Sequence, residues 1–147
     1  MLVRRLSTSA WSADEGRYRL RYAIRPDAGI DEAIDLGEAL NLAARTLPAG
    51  AAVEPVAQVL EGAARVQTVK LAEDRSGDLV VRLYEGAGRR ERTTVRVPGA
   101  RRLEVVDLLE RPLREGMPLG HRAAAADTEE ITLEMRPFMI TTLRASF

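Results

Sequence analysis

Leu79-Val80-Val81-Arg82-Leu83-Tyr84, then Gly86-Ala87-Gly88, then Thr93-Thr94-Val95-Arg96-Val97 follow one another in the middle of the chain. The first and last runs are rich in β-branched and aromatic side chains, which fit a pleated, half-buried surface, and the glycines between them supply positive-φ turn positions. The spacing predicts a β-hairpin, the clearest strand signal in the sequence.

Upstream of it, Val66, Thr68 and Lys70 alternate with Gln67, Val69 and Leu71, and the turn chemistry of Glu73-Asp74-Arg75-Ser76-Gly77 ends that strand. Val53 to Leu60 is a further strand candidate, placed at an edge because Pro55 has no ladder donor. Asp31 to Ala44 carries Ala33, Leu36, Leu40 and Ala43 at three- and four-residue steps, which predicts one short helix. Before it, Tyr18, Leu20, Tyr22 and Ile24 alternate with Arg17, Arg19 and Arg21, the period of a strand, and Pro26-Asp27-Ala28-Gly29 ends the run.

Downstream, Leu103 to Leu109 reads as a strand, and Pro112, Gly116, Pro118 and Gly120 interrupt regular structure as far as His121. Ile131, Leu133 and Met135 alternate with polar neighbours, and extended character resumes from Phe138 to Leu143. Seven or eight short strands with one short helix predict a mainly β fold, an antiparallel β-sandwich. With 147 residues, 46% hydrophobic and 30% charged, a single domain over 1–147 is expected.

Composition narrows the chemistry. Lys+Arg 22 against Asp+Glu 22 leaves no net charge to draw a polyphosphate or an anionic bilayer, so neither nucleic acid nor membrane is expected as a partner. There is no cysteine, and His121 is the one histidine, which removes thiolate chemistry and leaves too few donors for a zinc centre. The N-terminal Met-Leu-Val-Arg-Arg-Leu meets Ser7, Thr8 and Ser9 where a secretion signal needs an apolar run, and no membrane-length apolar segment follows, so a cytoplasmic location is expected.

The arginines at 17, 19, 21 and 25 share a face, but Tyr18 and Tyr22 alternate onto the other, so a nucleic-acid platform is not formed. The acidic pairs Asp14-Glu15 and Glu129-Glu130 point to opposite faces and do not converge on one bond. Gly86-Ala87-Gly88 lacks the helix that would aim its donors at a phosphate.

Four ordered stretches carry a resemblance: Lys70-Leu71-Ala72-Glu73-Asp74; Leu79 through Tyr84 to Glu85; Leu108-Leu109-Glu110; and Arg136-Pro137-Phe138-Met139-Ile140-Thr141-Thr142-Leu143-Arg144. With Tyr22 to Gly29 and Ala39-Leu40-Asn41 before Pro48, they resemble the C-terminal β-domain of the glycoside hydrolase family 38 α-mannosidases. The resemblance departs at Asp27, where the family usually has histidine, and at Met139, where it usually has an acidic residue.

The resemblance implies a non-catalytic domain that supports and partly walls a zinc-dependent catalytic region, with zinc and nucleophile in that region and no cofactor on this chain. Its partners would be that region and, through the parent enzyme, an α-mannoside, and the chain alone is expected to be inactive. Leu2-Val3-Arg4 resembles a family segment that runs close to the sugar, which makes Arg4, or Arg5 after a one-residue slip, the candidate substrate contact. Lys70, Glu73, Asp74, Arg82, Tyr84, Glu85, Glu110, Pro137 and Phe138 form the structural motif.

In physical terms Arg82 is expected to pair with Glu85, Glu110 or Glu73, and Phe138 to plug the core. Away from its partner region the domain is expected to show an apolar or Arg-lined patch and to self-associate through it. The alternative is a free-standing carbohydrate-binding sandwich, for which Trp11, Tyr18, Tyr22 and Tyr84 would have to form an exposed platform.

Overall fold

The computed structural model describes residues 17–42, 44–113 and 123–147. Contacts divide the chain between Arg45 and Thr46 into two compact units. The first unit holds helix α1 (Ile30–Asn41), near the predicted span. Gly29 caps it, the Glu32 carboxylate accepts the Gly29 N–H at 2.8 Å, and Asp31 and Glu32 suit the positive end of the helix dipole.

The strand predicted over residues 17–25 is not there. The segment has no ladder partner among the described residues, and Tyr22 and Ile24 are each 84% exposed. Alternation marks which side chains share a face, but a strand also needs a neighbour to satisfy its backbone. Asp27 does sit in a turn, with φ of 58°.

The second unit is the sandwich. Its strands are β1 (Gln58–Glu61), β2 (Arg65–Leu71), β3 (Leu79–Tyr84), β4 (Glu91–Arg96), β5 (Arg102–Val106), β6 (Ala123–Ala126), β7 (Glu130–Met135) and β8 (Ile140–Ser146). One sheet runs in the order β1-β4-β7-β6 and the other β2-β3-β8-β5, with every pairing antiparallel.

The core lies between them. Val81 and Leu83 of β3, Leu103 of β5 and Leu143 of β8 meet Val95 of β4 and Ile131, Leu133 and Met135 of β7. Each such side chain contributes roughly 1.5–3 kcal/mol by leaving water.

The hairpin predicted from the central stretch is a correction. β3 pairs with β2 and β8 while β4 pairs with β1 and β7, so residues 85–90 arch from one sheet to the other. Two alternating runs separated by glycines look the same whether they pair with each other or face each other across a core. β1 begins only after Pro55, and β5 stops at Val106 where Asp107 opens a tight turn. Pro112 then forms a bridge with Val106 on the outer side of β5. The alanine strand β6 has no counterpart in the sequence reading, since four alanines carry no alternation.

Candidate functional site

Register fixes which side chains line the outer face of the β2-β3-β8-β5 sheet. Lys70, Val80, Arg144 and Glu104 form one row across it, and Arg82, Thr142 and Val106 the next. Val80, Val106 and Thr142 in these rows are buried, so something covers this face. The cover is the turn after β5. The Asp107 carboxylate accepts the Leu109 and Arg111 N–H groups at 2.8 and 2.9 Å, an Asx arrangement that curls the chain back. Glu110, at φ of 65°, then directs its carboxylate inward.

Glu110 is the pin of the cover. It is 8% exposed, accepts the Glu73 N–H at 2.8 Å and pairs with Lys70 Nζ at 2.7 Å, while Lys70 also reaches Glu73 at 2.6 Å. The Arg82 guanidinium donates to the Leu108 carbonyl at 3.3 Å on the same turn. Lys70, Glu73, Arg82 and Glu110 are thus brought together. The charge of Arg82 is felt by the Glu110 carboxyl, one of the three acidic partners expected for it, but the direct contact is to main chain. The Glu73 amide, the Lys70 ammonium and the nearby Arg82 hold the Glu110 carboxyl below its ordinary range despite burial.

Asp74 belongs to a neighbouring cluster. Arg144 donates from Nη2 to Asp74 at 2.6 Å and to Ser76 Oγ at 2.9 Å, and from Nε to Asp78 at 2.7 Å, which ties the β2–β3 turn onto β8. Asp74 is held at about 2, chiefly by Arg144 and then by the Ser76 amide. The sequence reading gave neither Arg144 nor Asp78 a role; an Arg two strands away from an Asp-Ser-Asp turn has no local signature.

The third arrangement lies at one end of the sandwich, where Tyr84 pairs across to Ile140 and residues 85–90 and 136–139 leave the sheet together. Glu85 is 1% exposed, and its carboxylate accepts the N–H groups of Ala87 at 2.8 Å, Gly88 at 2.9 Å and Phe138 at 2.9 Å. Burial pushes this carboxyl up, but the amides, led by Phe138, outweigh it and leave it below its ordinary range. Tyr84 stands half-buried at the start of the arch.

Phe138 does not plug the core. Arg136, Pro137, Phe138 and Met139 form a tight turn closed by Met139 N–H to the Arg136 carbonyl at 3.1 Å, and Phe138 takes the left-handed position at φ of 58°. With proline fixed at negative φ before it, this is the pattern of a type II turn. The ring is left 73% exposed against Gly88, where a Cβ would come within 2.8 Å of it. Met139 packs on the core in its place.

Main-chain amides hold Glu85, an amide with Lys70 holds Glu110, and chiefly Arg144 holds Asp74, each below its ordinary range, so none of the three is poised near neutral pH to give a proton as a general acid. Among the described residues no three His, Asp or Glu side chains converge. Arg4, Arg5, Trp11 and His121 lie outside the described residues.

The depressed carboxyls predict acid sensitivity. Each is lower in the folded chain than in the unfolded one, so each stabilises the fold above the unfolded value and stops doing so as pH falls through the folded value. Thermal unfolding followed by circular dichroism should therefore give a falling midpoint below about pH 4.5, with the Asp74 contribution fading last, near pH 2. The decline should be shallower for Glu110→Gln. A midpoint constant from pH 5 to about 2.5 would remove these carboxylates from the stability of the fold.

Against known proteins, the family described as glycosyl hydrolases family 38 C-terminal beta sandwich domain matches residues 63–143, slightly more than half of the chain. The match spans β2 to β7 and the first half of β8, with Lys70, Glu85, Glu110 and Phe138 inside it. No curated protein matches the chain.

Proposed function

The chain belongs to the glycosyl hydrolase family 38 C-terminal β-sandwich domains, and from that membership we propose that it serves an α-mannosidase as a non-catalytic domain. It supports and partly walls the zinc-dependent catalytic region that hydrolyses α-mannosides.

The observation that carries this reading is the family match over the stretch whose two surface turns are pinned by buried carboxylates. Glu110 fixes one turn and Glu85 fixes the arch and the turn beside it, each through main-chain hydrogen bonds. A body that fixes its surface turns through buried carboxylates suits a supporting wall.

The test is to express the chain with the α-mannosidase catalytic polypeptide of the same source and to follow hydrolysis of an aryl α-mannoside. The pair should co-purify, and the catalytic polypeptide should keep its activity longer on warming than when alone. The chain by itself, with or without added zinc, should give no turnover above buffer. Turnover that tracks the isolated chain, or a catalytic polypeptide indifferent to its presence, would overturn the reading.

A further inference from the structure

Phe138 carries an arrangement that the sandwich itself does not need. Its φ of 58° is a conformation that glycine or asparagine adopts readily and a bulky residue does not. Core burial does not compensate, because the ring stands 73% exposed. The backbone is nonetheless fixed: the Phe138 N–H is held at 2.9 Å by the buried Glu85 carboxylate, which also holds the amides of Ala87 and Gly88.

Gly88, itself at φ of 75°, leaves open the space in which the ring lies. A buried anion, a glycine and a strained turn thus act together to set where one exposed aromatic ring stands. Strain kept at an exposed residue marks a site of use. A pre-ordered aromatic ring is also the kind of side chain that anchors a protein interface, since little freedom remains to be lost on docking.

The charge around the ring states what it fits. Arg90 follows the arch and Arg136 opens the Phe138 turn; both are exposed, and neither guanidinium has an ion pair among the described residues, whereas Arg96, Arg111 and Arg144 each do. A second copy of the chain would bring these arginines against their own kind, and like charges at an interface rim disfavour that pairing. A surface complementary to this one would offer an apolar pocket with carboxylates at its rim.

We propose that Phe138, seated on Gly88 and flanked by Arg90 and Arg136, is the anchor through which this sandwich docks on the catalytic region, entering an apolar pocket rimmed by carboxylates. This rests on the accessory role above and names the contact that performs it.

The full chain and the catalytic polypeptide, purified separately, would be titrated by calorimetry at two salt concentrations. Phe138→Asn suits the left-handed turn, so it should keep the cooperative thermal transition, with no fall in midpoint, while weakening association by at least about tenfold. Arg90→Glu with Arg136→Glu should weaken it too and remove most of its salt dependence. Leu71→Ser, an exposed site at the opposite end of β2, should leave the affinity unchanged.

If the unaltered chain does not bind, both the accessory role and this anchor fall. If it binds and Phe138→Asn binds equally well, the anchor alone is overturned. A dimer of the chain by itself that Phe138→Asn abolishes would put a second copy in the partner's place and also overturn it.

Discussion

Glu85→Ala is expected to destabilise the sandwich by about 3–5 kcal/mol, the largest effect of any single polar substitution in it. The carboxylate is buried and accepts the Ala87, Gly88 and Phe138 N–H groups at 2.8–2.9 Å. Removing it leaves three main-chain donors without an acceptor where water has little access, and each orphaned donor costs on the order of 1–3 kcal/mol. The arch can shift and admit some water, which holds the total below the largest sum.

Glu85→Gln keeps the volume and one acceptor but turns an amide NH2 toward donors, so it should fall between the two. Urea unfolding followed by circular dichroism gives the free energy, and amide hydrogen exchange at residues 87, 88 and 138 gives the location. A loss below about 1 kcal/mol, or unchanged protection at those amides, would show that the carboxylate does not hold the arch.

Glu110→Ala should cost about 2–3 kcal/mol. The Glu73 N–H loses its acceptor, and the turn loses its pin to β2 while keeping the longer Arg82 contact to Leu108 and the Val106–Pro112 bridge to β5. Val80, Val106 and Thr142 beneath it would then meet solvent. Lys70 retains Glu73 at 2.6 Å, an exposed pair that contributes little.

The sharper measurement is a double-mutant cycle with Lys70→Met. If Lys70 and Glu110 act as a unit, the second substitution should add almost nothing once the first is made. Additive losses would mean that Glu110 works through the Glu73 amide alone.

Strand positions were legible wherever side chains alternate between core and surface. Ile131, Leu133 and Met135 announce β7 because every second residue is buried there, and Leu79–Tyr84 announces β3 by its β-branched and aromatic side chains, with Val80 and Val81 both buried because both faces of that strand are covered. Pairing was not legible. β3 and β4 carry the same alternation whether they are hydrogen-bonded neighbours or opposed across a core, and only long-range packing decides between these.

Residues 17–25 err the other way, with a full strand pattern and no ladder within the described chain. Phe138 was misplaced because hydrophobicity argued for burial while Pro137, one position earlier, was already setting a turn. The motif residues could be named from the resemblance, and Lys70, Glu73 and Glu110 do converge. Their real partners, the amides of residues 73, 87, 88 and 138, have no residue-type signal at all, since every residue except proline carries one.

The bridge between Val106 and Pro112 bears on how these molecules behave when crowded. β5 ends its sheet, and the last strand of a sheet offers a row of unmatched donors and acceptors on which another chain can template itself. Here a proline, which has no N–H to give, occupies that position beside Val106, and the Asp107–Arg111 turn bends the chain away from the strand's line. The same few residues that carry the Glu110 pin therefore also blunt the rim, so that edge-to-edge addition of another chain's strand finds no continuation past β5.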